Sequence, residues 1–397
     1  MTIPMMRRIA LAAVLILAVS PAPLAARPAE GKPRVGRPDQ VVPSSGLPHE
    51  VTDNRSNNNL HLAEHEGRLF MVFRTARWHI ASEDARLYVV STIDQVHWRF
   101  EGEFHFGRDL REPRLLSWNG RLLLYFALLG ANPAAFQPGG TMVTERIAQG
   151  SWTTPHRILF DDFVPWAVKL HDGVPYMLGY TGGGGTFSPN PPPKDVYWLT
   201  TSNGVDWVPV DPARPVVYRG GCAETDFEFL ADGSLVTACQ TENMDALGWG
   251  AKVCTAPAAD TAVWTCRGDT RRLDSPFVFL HGAEVYVIAR RQPFFGGEYD
   301  LHLPVPEDNV RFAAYDALYA GTPKRCSLWR IDPALRTFAF VEDIPGRGDT
   351  CYPAVLPLGP DAFLVYNYTS PLDGPDLPWG VALLVGPTLI YRTTLTF

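Results

Sequence analysis

Three carboxylates stand where short apolar strands begin: Glu112 before Pro113, Asp226 before Phe227, and Asp274 before Ser275-Pro276. Hydrolysis of a glycosidic bond needs two such groups held several ångströms apart. One protonates the leaving oxygen and the other attacks or activates water. Burial and a neighbouring like charge raise one pKa to make the acid, while an arginine keeps the other ionised. A second set falls at the same stations or at the end of the following strand: Arg55, Arg74, Trp166, Glu242, Arg290, Arg291 and Tyr352. Arginines placed there hold a substrate carboxylate through paired hydrogen bonds, and flat aromatic faces suit the C–H face of a sugar. Asn57, Tyr180 and Tyr368 lie at the same two levels. Glu224 and Asp226 alternate with Phe227, so only one parity faces inward, and Asp226 is the preferred choice. Of the adjacent Arg290 and Arg291, at most one points inward. His61, His65 and His79 are scattered, and no Cys-x-x-Cys or His-x-x-x-His spacing occurs, so neither a metal nor another cofactor is expected.

These side chains need a scaffold that brings six distant segments together, and the sequence repeats one. Leu60 begins LHLAEHEGRLFMVFR, Pro113 begins PRLLSWNGRLLLYFA and Pro165 begins PWAVKLHDGVPYMLGY. Asp226 begins DFEFLADGSLVTACQ, Pro276 begins PFVFLHGAEVYVIAR and Pro353 begins PAVLPLGPDAFLVYN. Each is a strand, a Gly-containing turn and a second strand, which is a hairpin. The starts lie 53, 52, 61, 50 and 77 residues apart, the last gap enlarged by a long segment from Phe294 to Pro323. A hairpin repeated at this period marks a propeller. The reading is an all-β, six-bladed β-propeller over residues 49–397, with five blades as the alternative. The starts of the inner strands and the ends of the second strands share one face, so the candidate residues converge in one funnel.

Composition narrows the function classes. With 35 Lys+Arg against 42 Asp+Glu and no basic stripe, nucleic acid is not an expected partner. Arg7 and Arg8, an apolar run from Ile9 to Val19 and small residues to Ala26 make a secretory address. That run falls short of the roughly 20 residues a membrane span needs, so no membrane insertion is expected. The segment 27–48 reads as a flexible leader. An exported, secreted or periplasmic chain with six cysteines is expected to hold three disulfides. Of 15 possible pairings, Cys222–Cys239 across a hairpin, Cys254–Cys266 across a short loop and the remaining Cys326–Cys351 are favoured.

The segments Ser91–Trp98 (STIDQVHW) and Thr200–Trp207 (TTSNGVDW) resemble the Asp-box turn of sialidases, Ser-x-Asp-x-Gly-x-Thr-Trp. With the hairpins and the secretory address, they give a resemblance to the sialidase-like propeller superfamily over about residues 50–397. The Glu112-Pro113 and Asp274-Ser275-Pro276 starts also resemble the five-bladed glycosidases that act on arabinans, xylosides and fructans. That second resemblance implies base or nucleophile, acid and pKa-modulator roles among Glu112, Asp226 and Asp274. The first implies arginines gripping a substrate carboxylate (Arg74 with Arg290 or Arg291) and a Tyr–Glu nucleophile using Tyr352 or Tyr368. Asn58-Asn59-Leu60 stands where sialidases carry Arg-Ile-Pro, which implies a relative with another glycan substrate. The expected function is a secreted, monomeric glycoside hydrolase acting on a glycan with an acidic or furanose sugar. The alternative is a non-catalytic carbohydrate-binding propeller.

Overall fold

The structure, a computed structural model, describes residues 32–186, 188 and 191–397. From Pro33 onward the chain forms one compact unit of six antiparallel sheets, each a blade. The inner strands are Ser56–His65, Leu110–Trp118, Val164–His171, Cys222–Phe229, Asp274–His281 and Ala354–Gly359. Each touches the next around a ring, and the sixth returns to the first. The count is therefore six, and the five-bladed alternative is set aside. Two-residue turns such as Glu66-Gly67, Asn119-Gly120 and Asp172-Gly173 have φ positive at both positions. That is the primed geometry whose twist matches a hairpin. Between blades the facing apolar rows interlock. Phe70, Val72, Leu87 and Val89 of the first blade pack on Leu115, Leu122, Leu124 and Phe126 of the second. Each such side chain contributes about 1.5–3 kcal/mol.

The two ends of the described chain close the ring together. Arg34–Val35 and Asp39–Val42 pair with Leu389–Thr396, the third strand of the sixth blade. For residues 34–42 this corrects the reading of a flexible leader, and residues 27–31 lie outside the described residues. Val41 and Val42 are apolar and fully packed, and the edge of that sheet offers them backbone partners. The secretory address at 1–26 lies outside the described residues.

All three expected disulfides are present: Cys222–Cys239, Cys254–Cys266 and Cys326–Cys351. They fit an extracellular or periplasmic protein. Among the described residues, no helix is long and apolar enough to cross a membrane.

The two Asp-box-like turns share one hydrogen-bond pattern. Asp94 Oδ1 accepts from the backbone N–H of Val96 and His97, and Asn203 Oδ1 accepts from those of Val205 and Asp206. Asn203 thus does in the second turn what Asp94 does in the first, and Trp98 and Trp207 close both turns against the core.

Two helices interrupt the strands: α1 (Asp308–Ala320), inside the 294–323 segment, and α2 (Trp379–Val385). The apolar stripe of α1 (Phe312, Tyr315, Tyr319) covers only two turns, too short for a sustained helical period in the sequence.

Candidate active site

Every blade departs from regular pairing at the same station. Five inner strands carry one more residue than their partners, between Asn58 and Leu60, Arg111 and Arg114, Pro165 and Ala167, Cys222 and Thr225, and Asp274 and Phe277. In the sixth, the same surplus lies between the Thr350–Thr369 bridge and the Ala354–Tyr366 pair. These are β-bulges, which kink a strand and re-aim its side chains. At four of them a non-glycine residue takes the left-handed region: Asn59 (φ 39°), Glu112 (φ 51°), Ser275 (φ 52°) and Cys351 (φ 81°). Such strain persists only where surrounding structure enforces it.

The bulges of neighbouring blades hold one another. Glu112 Oε2 accepts the Tyr352 hydroxyl at 2.6 Å and Asn59 Nδ2 at 3.1 Å, joining the second, sixth and first blades. Glu224 Oε2 accepts both the N–H and the hydroxyl of Ser275 at 3.1 Å, joining the fourth and fifth. Burial drives the Glu224 carboxyl well above its ordinary range, and the charges of Glu112 and Glu242 push it further. Glu242, with 21% of its side chain exposed, is also raised, first by burial. Tyr352 is held a phenol by burial against the pull of Arg114, whose guanidinium lies 5.0 Å over its ring.

Asp274 differs. Arg272 Nε donates to it at 2.8 Å and the Tyr319 hydroxyl at 2.6 Å, with Arg290 Nε 3.6 Å away. Burial opposes its charge, but the two guanidiniums and the phenol outweigh burial and keep it below the usual carboxylate range. Through the Tyr319 hydroxyl these contacts tie it to α1. Asp226 has partners of its own. It sits below the mouth in the throat of the channel, where Lys169 Nζ reaches it at 2.9 Å. The N–H groups of Phe227 and Val278 donate to it at 2.7 Å. Lys169 also reaches the Phe227 and Val278 carbonyls and Glu228.

The remaining candidates divide by position. Trp166 is 2% exposed, donates Nε1 to the Pro276 carbonyl and stacks under Arg114 at 4.8 Å. It plugs the throat and offers no sugar platform. Arg74 is fully buried and bonds Asp109, Asn58 and the carbonyls of Trp78 and Ile80, so it bridges blades instead of gripping substrate. Arg55 is exposed and bonds the Val385 carbonyl at the end of α2. Arg291 turns outward to Asp343 at 2.7 Å. Arg290 turns inward over Trp379, 4.9 Å from its ring, and two buried guanidinium nitrogens, Nε and Nη1, have no hydrogen-bond partner. Glu224, Arg272 and Arg111 were not among the chosen site residues. Proline directly after the station in three blades (Pro113, Pro276, Pro353) was the available signal, because a strand admits proline at edges and bulges.

Among the described residues, no three His, Cys, Asp or Glu side chains converge to hold a metal. The mouth therefore presents a crowd of carboxylates, two of them with raised pKa, a hydrogen-bonded Tyr–Glu couple and a guanidinium with spare donors. That set can move protons and position an oxygen-rich ligand.

No family model and no curated protein matches the chain. Solved structures do. A protein of unknown function from Dyadobacter fermentans superposes with TM-score 0.61 at 14% identity, covering 92% of this chain and all of that one. The Trypanosoma rangeli sialidase in complex with sialic acid gives 0.54 at 11%, covering 85% of this chain and 54% of that one. The NanB sialidase of Streptococcus pneumoniae gives 0.54 at 8%, covering 87% and 69%. The chain spans about half the length of the trypanosomal enzyme. These likenesses give the chain the sialidase-like propeller fold.

Proposed function

We propose that this chain is an exported glycoside hydrolase whose reaction takes place at the mouth, with Glu224 as acid and Tyr352–Glu112 as the nucleophilic couple. One observation carries the reading: a carboxyl whose proton affinity burial and two like charges raise stands in the same mouth as a phenol hydrogen-bonded at 2.6 Å to a second carboxylate. Pairs of titratable groups whose surroundings push their proton affinities apart are the mark of acid–base chemistry.

Glu224 gives its proton to the glycosidic oxygen as that bond breaks. Tyr352 Oη bonds the anomeric carbon while its proton passes to Glu112. Water then enters, gives a proton to the Glu224 carboxylate and displaces Tyr352, which recovers its proton from Glu112. The spare N–H groups of Arg290 favour a sugar bearing an anionic group, since a buried donor left unpaired is costly. The fold of the two sialidases is consistent with this chemistry.

The test is saccharide release from a panel of sialylated, uronate-bearing and neutral glycans, by the mature protein and by Glu224→Gln. Release that the variant loses is the expected result. Binding without release by either protein would favour the carbohydrate-binding alternative.

A further inference from the structure

The sequence reading treated His79 as one of several scattered histidines, but it is held by a built arrangement at the mouth. Its Nδ1 lies 2.6 Å from Asp349 Oδ2. Asp349 is fully buried, and its Oδ1 accepts the Tyr368 hydroxyl at 3.0 Å and Trp379 Nε1 at 3.1 Å. The imidazole also packs edge-on against the Tyr368 ring, 5.6 Å between centroids. Asp349 thus fixes the ring and its tautomer, because an ionised carboxylate only accepts and Nδ1 must carry the proton. That leaves Nε2 as a bare lone pair. The side chain keeps 15% exposure. The residue is tied to the reacting end of the funnel by Arg111, which donates to the His79 carbonyl and whose charge faces Glu112. Arg290, with its spare donors, stands over Trp379 on the other side of Asp349.

We infer that His79 Nε2 is a specificity element of the mouth, accepting a hydrogen bond from a hydroxyl of the bound glycan. The unpaired donors come from Arg290 over Trp379, and His79 adds an acceptor linked to them through Asp349 and Trp379. A sugar that places a hydroxyl next to an oxygen acceptor satisfies both. The inference rests on the mouth being a glycan site. Burial pulls the imidazole below its ordinary range. The groups that face it are Asp349, which favours its charge, Arg111 and Arg74, which oppose it, and the Tyr368 phenol. The ring therefore stays neutral through neutral pH and gains its second proton only in acid, where the acceptor becomes a donor.

The test uses Glu224→Gln as a binding-competent background and calorimetry against the same glycan panel. For the glycan that binds, His79→Leu is expected to weaken affinity about tenfold, and His79→Gln, which retains an oxygen acceptor, to weaken it less. As pH falls through the imidazole's titration the affinity of the parent should fall, whereas that of His79→Leu stays flat. Ring nitrogen shifts of the ligand-free protein should show His79 protonated at Nδ1 and bare at Nε2. Affinity and pH profile unchanged in His79→Leu, or a proton on Nε2 at neutral pH, would overturn this inference alone. A panel with no binder would overturn the proposed function, and this inference with it.

Discussion

Glu224 and Asp226 stand two residues apart on one strand, and the protein treats them in opposite ways. Asp226 lies in the throat with Lys169 and two backbone N–H groups directed at it. Burial pulls the Lys169 amine down, but Asp226 and Glu228 outweigh it and hold the amine above its ordinary range. Glu224 lies at the mouth among like charges, where two donors of a single serine are its hydrogen-bond partners. Glu224 lies within the surplus between Cys222 and Thr225, and Asp226 follows it where regular pairing with Ala238 resumes. The throat pairs its carboxylate with an amine, while the mouth raises a carboxyl's affinity for its proton.

The sharpest way to break this comparison is to neutralise each carboxylate in turn. Glu224→Gln should lower glycan release by about 10²–10⁴-fold, the span of a general acid, and leave the fold intact. Asp226→Asn should destabilise by about 3–5 kcal/mol, because Lys169 is left short of counter-charge in a buried site. It should nevertheless keep release per folded molecule within a few-fold. Denaturant titration and initial rates on both variants decide it. A stable, inactive Asp226→Asn would exchange the two roles.

Asp274 tests whether the mouth, like the throat, contains purely structural charge. Asp274→Asn leaves Arg272 and Arg290 facing each other without the anion between them. A loss of about 3 kcal/mol is expected, together with faster hydrogen exchange in α1, which Tyr319 ties to this carboxylate.

These outcomes also mark how far the sequence could be read. The hairpin repeat was visible because each blade must bury its own alternating strands, and that periodicity is local. The disulfide pairs were legible for the same reason: Cys222 and Cys239 flank one hairpin, and Cys254 and Cys266 one short connection. What was hidden is register. A single surplus residue resets which side chains reach the axis, and alternation puts Glu224 and Asp226 on one face and cannot choose between them. Arg74 was unreadable for another reason. Its partner Asp109 lies 35 residues away on another blade, and nothing local distinguishes a buried bridge from a ligand contact.

The pH dependence separates the two tiers with a definite sign. Glu224 is raised in the folded protein, so its contribution to stability is full below its unfolded pKa and is lost as pH rises through the folded value. Asp274 and Asp349 are lowered, so theirs is present above the unfolded pKa and lost as pH falls through the folded values. Wild type should therefore lose stability on both sides, and Glu224→Gln should flatten the alkaline side alone. Release should fall on that same alkaline limb as Glu224 loses its proton.

The smallest expected effect belongs to the link between α1 and the mouth. Tyr319→Phe removes one hydroxyl, which donates to Asp274 at 2.6 Å, and leaves the ring packed beneath Trp379. Asp274 keeps Arg272 and Arg290, so no charge is stranded, and the cost should be about 1.5–3 kcal/mol, that of one hydrogen bond to a charged group. Because Asp274 supports the mouth without reacting, kcat should hold within about threefold, and any change should fall on KM through the altered seating of α1. A kcat loss as large as that of Glu224→Gln, in a variant as stable as wild type, would mean that the phenol of Tyr319 takes part in the chemistry. Asp274 would then belong with the reacting carboxylates of the mouth and not with the ionic scaffold it shares with Asp226.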